Sequence, residues 1–420
     1  MRPSSVPQLV CILAAALALR LGVAGWWDER QGGQFAFGDS LSYWTLARAI
    51  AEGQPYEYSG RIFRTPAYPA ILAPLFLIGG PNPPVFWGRA VSAVLGTLAV
   101  AAVWVLARQL FDDVTARWAA AAVAVYPGAV ALSALVLSEA PFMPLMLGQL
   151  VLWGAAWTQN CPGRAAGYGL AAGLMAGLTT LARPSWLLFT PFALVAGCLL
   201  FNQRRRQMAI GSMVVIGLVL TMTPWWIRNY RLVGHFVPTT LQVGASLYDG
   251  LSPTADGSSN MDFVPRFAAA EARYPAGAGG TLADTFEYRL DQRLRRAAVE
   301  WARQHPAEAL RLAGIKFLRM WNIRPNERQL SSPLVQAAVA AGYLPAISLG
   351  ILGAIATLHR GWPFALCWLP AVYLTLLHIV FVSSIRYREP AMLALIVLAA
   401  GFAVERCRGR ANAPDGSAAT

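Results

Sequence analysis

The chain has 420 residues, of which 56% are hydrophobic and only 13% charged, and its mean hydropathy is +0.46. Soluble domains carry about 25% charged residues, so a soluble enzyme is excluded and an all-α polytopic membrane protein is expected, because helices satisfy their own backbone groups in lipid. The formal net charge of +13 is almost all arginine, with Lys316 the only lysine; these arginines are scattered among apolar runs, which points to lipid headgroups and lipid phosphates and away from nucleic acid.

Taken in chain order, the apolar runs predict about ten spans, near 8–27, 85–107, 117–136, 139–157, 167–182, 186–201, 208–226, 333–357, 363–382 and 390–404. The first run, Leu9 to Leu19, has the length of a signal-peptide core, but Arg20 interrupts it and many spans follow, so it reads as an uncleaved first helix. No fixed-period repeat is present. If the spans alternate, Arg108, Arg117, Arg164, Arg204, Arg205, Arg206, Arg360, Arg406, Arg408 and Arg410 all fall on one side. The positive-inside rule makes that side cytoplasmic and puts both termini there. Cys11, Cys161, Cys198, Cys367 and Cys407 map to the same side, so no outer disulfide framework is implied.

This gives a domain division: an N-terminal transmembrane module, 1–227, with a long outer loop near 28–84; an outer segment, 228–332; C-terminal spans, 333–405; and a cytoplasmic tail, 406–420. The run Ala70 to Ile78 is apolar but too short to span, and Leu41, Trp44, Leu46, Ala47 and Ile50 recur at helical spacing. Both suit interfacial helices in the first outer loop. Residues 251–280, rich in Gly, Pro, Ser and Ala, read as a flexible loop. Residues 281–320 read as an amphipathic helix pair broken at His305-Pro306.

The expected outer face collects the ionisable residues. Asp39 follows the first span in Phe37-Gly38-Asp39-Ser40-Leu41-Ser42-Tyr43; Arg64 lies in Arg64-Thr65-Pro66-Ala67-Tyr68-Pro69; and Glu139 opens the span after Leu137-Ser138. Arg183 precedes Pro184, Arg228 follows Trp225-Trp226-Ile227, and Arg386 and Arg388 flank Tyr387. Ionisable groups at the mouth of a membrane bundle are costly to desolvate and mark function. Two carboxylates with several guanidiniums suit an inverting transfer from a lipid-linked phosphate sugar. A carboxylate accepts the proton of the incoming hydroxyl, and cations hold the departing phosphate, which the planar fork of arginine grips by two oxygens.

In the order and spacing of these motifs, with Pro224-Trp225-Trp226-Ile227-Arg228-Asn229-Tyr230 and His305-Pro306 before Lys316-Phe317, the chain resembles bacterial GT-C membrane glycosyltransferases. The nearest group is glycosyltransferase family 39, the protein O-mannosyltransferase-like enzymes related to the lipid A aminoarabinose transferase. The resemblance implies a GT-C bundle in the bacterial inner membrane, a site on its outer face, and a polyprenyl-phosphate-linked sugar as donor. It implies Asp39 as catalytic base or acceptor-orienting group, Glu139 as the matching second acid, and Arg64, Arg386 and Arg388 toward the lipid phosphate; Glu139 is counted with Asp39 as a candidate catalytic carboxylate, and the outer-face Arg183 and Arg228 join the phosphate-binding candidates. Tyr43, Tyr68 and Tyr387 are candidate contacts for sugar or acceptor. Gly38-Asp39 stands where the eukaryotic protein mannosyltransferases have an Asp-Glu pair, and their large inserted domain is missing. A protein acceptor is therefore no better supported than a glycolipid or a polysaccharide.

Each residue also has a plainer explanation. Asp39 could be a helix N-cap, Glu139 first-turn decoration favoured by the helix dipole, and Arg20, Arg183 and Arg228 snorkelling anchors. His235, His305, His359 and His378 are scattered without metal-ligand spacing, and two carboxylates alone make a weak cation site, so metal-free chemistry without a cofactor is the expectation. A transporter or lipid flippase, with polar groups at the membrane midplane, and a non-catalytic subunit of an envelope-polysaccharide system stand as alternatives.

Overall fold

A computed structural model describes residues 5–273, 285–325 and 332–411. Among these residues every regular element is helical. The first half holds α1 (Ser5–Arg30), α2 (Gly38–Ala51), α3 (Ala67–Gly79), α4 (Val85–Leu110), α5 (Asp113–Val125), α6 (Pro127–Ser133), α7 (Glu139–Thr158), α8 (Pro162–Ala182), α9 (Phe189–Leu200) and α10 (Arg204–Val233). A second group follows with α11 (Val243–Gly250), α12 (Val264–Ala272), α13 (Phe286–Gln304) and α14 (Pro306–Met320). The chain returns through α15 (Pro333–Thr357), α16 (Trp362–His378) and α17 (Glu389–Ala411).

Seven helices are long and apolar enough to cross a membrane, and α5 with α6, bent by 58° at their junction, makes an eighth if counted as one broken span. The other two expected spans fall on shorter apolar helices, Pro184–Leu200 and Trp362–His378. At 1.5 Å per residue these reach about 25 Å, short of a hydrocarbon core of about 30 Å. The protein is a multi-pass membrane bundle. The two short helices of the first long loop, α2 and α3, pack Tyr43, Ala47, Tyr68, Leu72 and Phe76 together against Val136 and Ala140. The segment 251–280 departs from a simple loop: α12 forms within it and seats Phe263 and Phe267 beside Tyr248. The rest of that segment, 274–280, and most of the expected tail, 412–420, lie outside the described residues.

The local chemistry explains the breaks. Pro127 disfavours helical backbone at Tyr126, which adopts φ −64°, ψ 117°. The break takes the helical i+4 partners from the last carbonyls of α5, leaving Val123 O only a long bond from Tyr126 N at 3.4 Å, a costly state inside lipid. Arg20 from α1 supplies the missing partners. Its guanidinium donates to Val123 O at 3.2 Å, Ala124 O at 2.9 Å, Ala16 O at 3.2 Å and Ser133 Oγ at 3.3 Å, and the side chain is fully buried. This corrects the snorkelling expectation: Arg20 points into the bundle and mends a broken helix. Elsewhere small residues set the packing. A Cβ at Gly173 of α8 would sit 2.1 Å from Val214 O of α10, so these helices approach with backbones nearly touching. Gly234, at φ 68°, ends α10 in the left-handed conformation that glycine adopts without penalty.

Candidate active site

Five of the seven ionisable residues singled out from the sequence meet at the face of the bundle that carries the long loops. Asp39 Oδ1 lies 2.6 Å from Arg64 Nη2, and Asp39 Oδ2 lies 3.2 Å from Arg386 Nη2. Arg386 Nε is 3.6 Å from Glu139 Oε1, which is 2.7 Å from Arg183 Nη1. The result is one chain of alternating charge, Arg64–Asp39–Arg386–Glu139–Arg183, with three guanidiniums for two carboxylates. Glu139 is almost wholly buried, whereas the Asp39 side chain is 36% exposed, so Asp39 is the more accessible of the two acids.

Each member is placed by a local rule. Helix α2 starts after Phe37, which is extended at φ −127°, and this puts Asp39 in the first turn. The carboxylate makes no capping bond there, so the N-cap explanation does not hold; it turns to the guanidiniums instead. Ser138 precedes α7 and donates from Oγ to Glu139 Oε2 at 3.3 Å. Pro184 forces Arg183 out of the helix to φ −145°, ψ 109°, which swings its side chain across to Glu139. Arg386 sits in the 3-10 turn Ile385–Tyr387, just before α17.

Aromatic rings wall the cluster. The Arg64 guanidinium lies 5.2 Å from the centre of Tyr43, and those of Arg183 and Arg386 each lie 4.9 Å from the centre of Tyr387. The Tyr387 hydroxyl accepts from Arg386 Nη2 at 3.1 Å. Tyr68 is fully buried behind Tyr43, with its hydroxyl 2.7 Å from Ser92 Oγ, so it supports the wall without facing the cluster. Burial pushes the Asp39 carboxyl up, but the charges and hydrogen bonds of Arg64 and Arg386 outweigh it and hold the group below the usual carboxylate range.

Two of the seven do not join. Arg228 donates to the carbonyls of Tyr56 at 3.3 Å and Arg61 at 2.9 Å, and packs over Trp225 and Tyr56; it holds the loop that carries Arg64. Arg388 is fully buried on another side of its turn. It donates to the Met320 and Asn322 carbonyls, stacks 3.6 Å over Tyr343 and pairs with Glu389, tying α14 to α17. The one-residue steps through a 3-10 turn send Arg386 and Arg388 in different directions, which the flanking of Tyr387 could not reveal.

Two neighbours of the cluster are not among the residues singled out from the sequence. Ser42 donates from Oγ to the Asp39 carbonyl at 2.6 Å and accepts from Arg64 Nε at 3.1 Å. Its place three residues after Asp39, on the same helical face, was the available signal. His378 is buried and stacks on Tyr387 at 4.3 Å, with Nδ1 donating to Val382 O at 2.9 Å. Among the described residues no group of three or more His, Cys, Asp and Glu side chains comes together as a metal site.

Comparison with known structures decides the fold. The chain superposes over its full length on the archaeal oligosaccharyltransferase AglB from Archaeoglobus fulgidus in complex with an inhibitory peptide and a dolichol-phosphate. The TM-score is 0.58 at 14% identity, covering 53% of that chain. The same enzyme tethered to an acceptor peptide containing the NVT sequon gives a TM-score of 0.59 at 14% identity, covering 99% of this chain and 51% of that one. The fold is that of the GT-C glycosyltransferases. This chain spans about half the length of those GT-C structures. ArnT from Cupriavidus metallidurans bound to undecaprenyl phosphate is similar at a TM-score of 0.46 and 17% identity, over 96% of this chain and 79% of that one. Residues 64–227 match the family model of dolichyl-phosphate-mannose-protein mannosyltransferases, a segment that contains Arg64, Glu139 and Arg183 of the charge cluster. No curated protein sequence matches the chain.

Proposed function

We propose that this protein transfers a sugar from a polyprenyl-phosphate carrier to a hydroxyl of its acceptor, with inversion and with Asp39 as the base. The acceptor oxygen attacks the anomeric carbon as the bond from that carbon to the phosphate oxygen breaks. The hydroxyl proton goes to Asp39, and the bonding electrons leave with the phosphate. The observation that carries this reading is the charge chain with its surplus guanidinium, set beside a partly open carboxylate. A phosphate that gains negative charge in the transition state is what such a surplus stabilises. The match of residues 64–227 to a mannosyltransferase family supports the same chemistry.

The resting state has a base held too acidic by its two arginine partners. A bound phosphate draws on Arg64 and Arg386, weakens their hold on Asp39 and raises its basicity only when donor is present. Glu139, buried against Arg183 and Arg386, keeps those cations aimed. The pairing of both acids with guanidiniums supports a reaction without a divalent cation or cofactor, in preference to a cation held between Asp39 and Glu139. The arginine-rich short loops on the opposite face support the inner membrane, both termini in the cytoplasm, and a site on the outer face. Glycolipid, polysaccharide and protein hydroxyls all remain acceptors compatible with this chemistry, as do hexosyl and pentosyl donors.

The test is binding of undecaprenyl phosphate to the protein in nanodiscs. Arg64→Ala and Arg386→Ala each weaken it by about tenfold or more, as charge-assisted contacts worth about 1.5–3 kcal/mol require. Affinity unchanged in both variants rejects the donor site.

A further inference from the structure

The loop that delivers Arg64 is held from inside and from outside. Between α2 and α3 the Tyr56 hydroxyl donates to the Arg64 and Thr65 carbonyls at 3.2 and 3.1 Å, while the turn around Gly60 has one weak internal backbone bond, Tyr58 N to Gly60 O at 3.4 Å. The backbone groups of Arg61 and Ile62 are tied to distant elements. Arg228 takes the Tyr56 and Arg61 carbonyls, and Leu241 N donates to Ile62 O at 2.9 Å. Glu287, in the first turn of α13, accepts two backbone N–H groups in a fork: Arg61 N to Oε2 and Ile62 N to Oε1, each at 2.9 Å. Gly60 leaves the room for that carboxylate, since a Cβ there would sit 2.5 Å from Glu287 Oε1. Ile62 is then fully buried beside Trp225 and Val237. Three residues after Arg61 the chain presents Arg64 to Asp39.

We infer that Glu287 is a positioning residue for the donor site: its carboxylate clamps the Arg61–Ile62 backbone, which sets the reach of Arg64 toward Asp39 and toward the carrier phosphate. The inference rests on the donor-site reading of Arg64. It assigns the second long segment a part in holding the donor, from a residue more than 200 positions away in the chain. A carboxylate is the group suited to the task. It offers two acceptors and no donor to a pair of adjacent N–H groups, whereas an amide must turn an N–H against one of them.

Two independent variants in the full chain test it, Glu287→Gln from the side of α13 and Gly60→Ala from the side of the loop. The first readout is hydrogen exchange of peptides covering 56–66, with peptides from α4 as internal reference. The second is the affinity for undecaprenyl phosphate in nanodiscs. Both variants are expected to speed exchange at Arg61 and Ile62 by about tenfold and to weaken binding by about tenfold, with α4 unchanged. Unchanged protection of Arg61 and Ile62 in Glu287→Gln overturns the clamp. Faster exchange with undiminished affinity overturns the positioning role, and equally faster exchange in α4 does the same, because it marks a general loss of stability. Arg64→Ala separates the two readings: full affinity in that variant rejects Arg64 as a contact of the carrier phosphate, and loop exchange in Glu287→Gln then judges the clamp alone.

Discussion

Replacing Asp39 by Asn separates its two effects, because they have opposite signs. Asn keeps the shape and one acceptor but takes no proton. A lost general base lowers turnover by about 10²- to 10⁴-fold. The effect on the carrier is the reverse. Asp39 lies 2.6 and 3.2 Å from the guanidiniums of Arg64 and Arg386, and in the parent these must divide their charge between it and the phosphate. Two like charges about 5 Å apart at an effective dielectric constant of about 20 repel by about 3 kcal/mol. The 36% exposure of Asp39 reduces this to about 1 kcal/mol through solvent and salt. Asp39→Asn therefore binds undecaprenyl phosphate as tightly as the parent or up to about tenfold more tightly, while turnover collapses. Thermal stability changes by about 1 kcal/mol at most, as for a partly exposed ion pair. The assay is a nanodisc preparation read for carrier affinity and for consumption of polyprenyl-phosphate sugar. Undiminished turnover refutes Asp39 as the base. A loss of turnover matched by an equal loss of affinity makes it a binding residue instead.

Arg20→Met keeps most of the apolar stem but removes the guanidinium donors to Val123 O, Ala124 O and Ser133 Oγ. Stranding those buried acceptors lowers stability by about 3 kcal/mol, read as a fall in thermal midpoint; Leu19→Ala, at an exposed neighbouring position, serves as the near-neutral comparison. The buried Asp249 and Lys316 contribute opposite pH dependences to stability. Burial pushes the Asp249 carboxyl up to about 6, against the hydrogen bonds from Asn260 N and Ser259, so the fold holds its proton more tightly than the unfolded chain does. The Asp249 contribution is then greatest below pH 4 and declines as pH rises to about 6, by on the order of 3 kcal/mol. Burial pushes the Lys316 ammonium down to about 8, so stability rises again from about pH 8 to 10.5. Thermal midpoints across pH 4–10.5 should trace a shallow minimum between 6 and 8, and a monotonic curve contradicts the assignment.

The helical spans were legible because apolar length and charge exclusion act residue by residue along the chain. What the sequence hid depends on contacts across it. Arg20 looked like an anchor because its partners, the carbonyls of Val123 and Ala124, are freed by a proline more than a hundred residues later. Arg386 and Arg388 looked equivalent, yet a 3-10 turn sends one to Asp39 and the other to the Met320 carbonyl. Arg183 was more readable in retrospect, since Arg-Pro after a helix dictates an extended residue whose side chain leaves the helical path. Glu287 was unreadable. Nothing marks one glutamate in an amphipathic helix as the acceptor for two N–H groups of a loop in the first quarter of the chain.

The order of charges explains how these residues stay together when no substrate is bound. Three guanidiniums brought together in a membrane protein would repel one another and resist desolvation. Here each neighbouring pair is separated by a carboxylate, Asp39 between Arg64 and Arg386 and Glu139 between Arg386 and Arg183. The two carboxylates are not equivalent. Glu139 is sealed in and holds its partners in any state, whereas Asp39 is open enough for an incoming phosphate to compete for Arg64 and Arg386. On the proposed mechanism, competition for those two cations converts a paired carboxylate into a free base. Proton removal would then be tied to donor occupancy, and the acceptor hydroxyl activated only when a sugar is there to receive it.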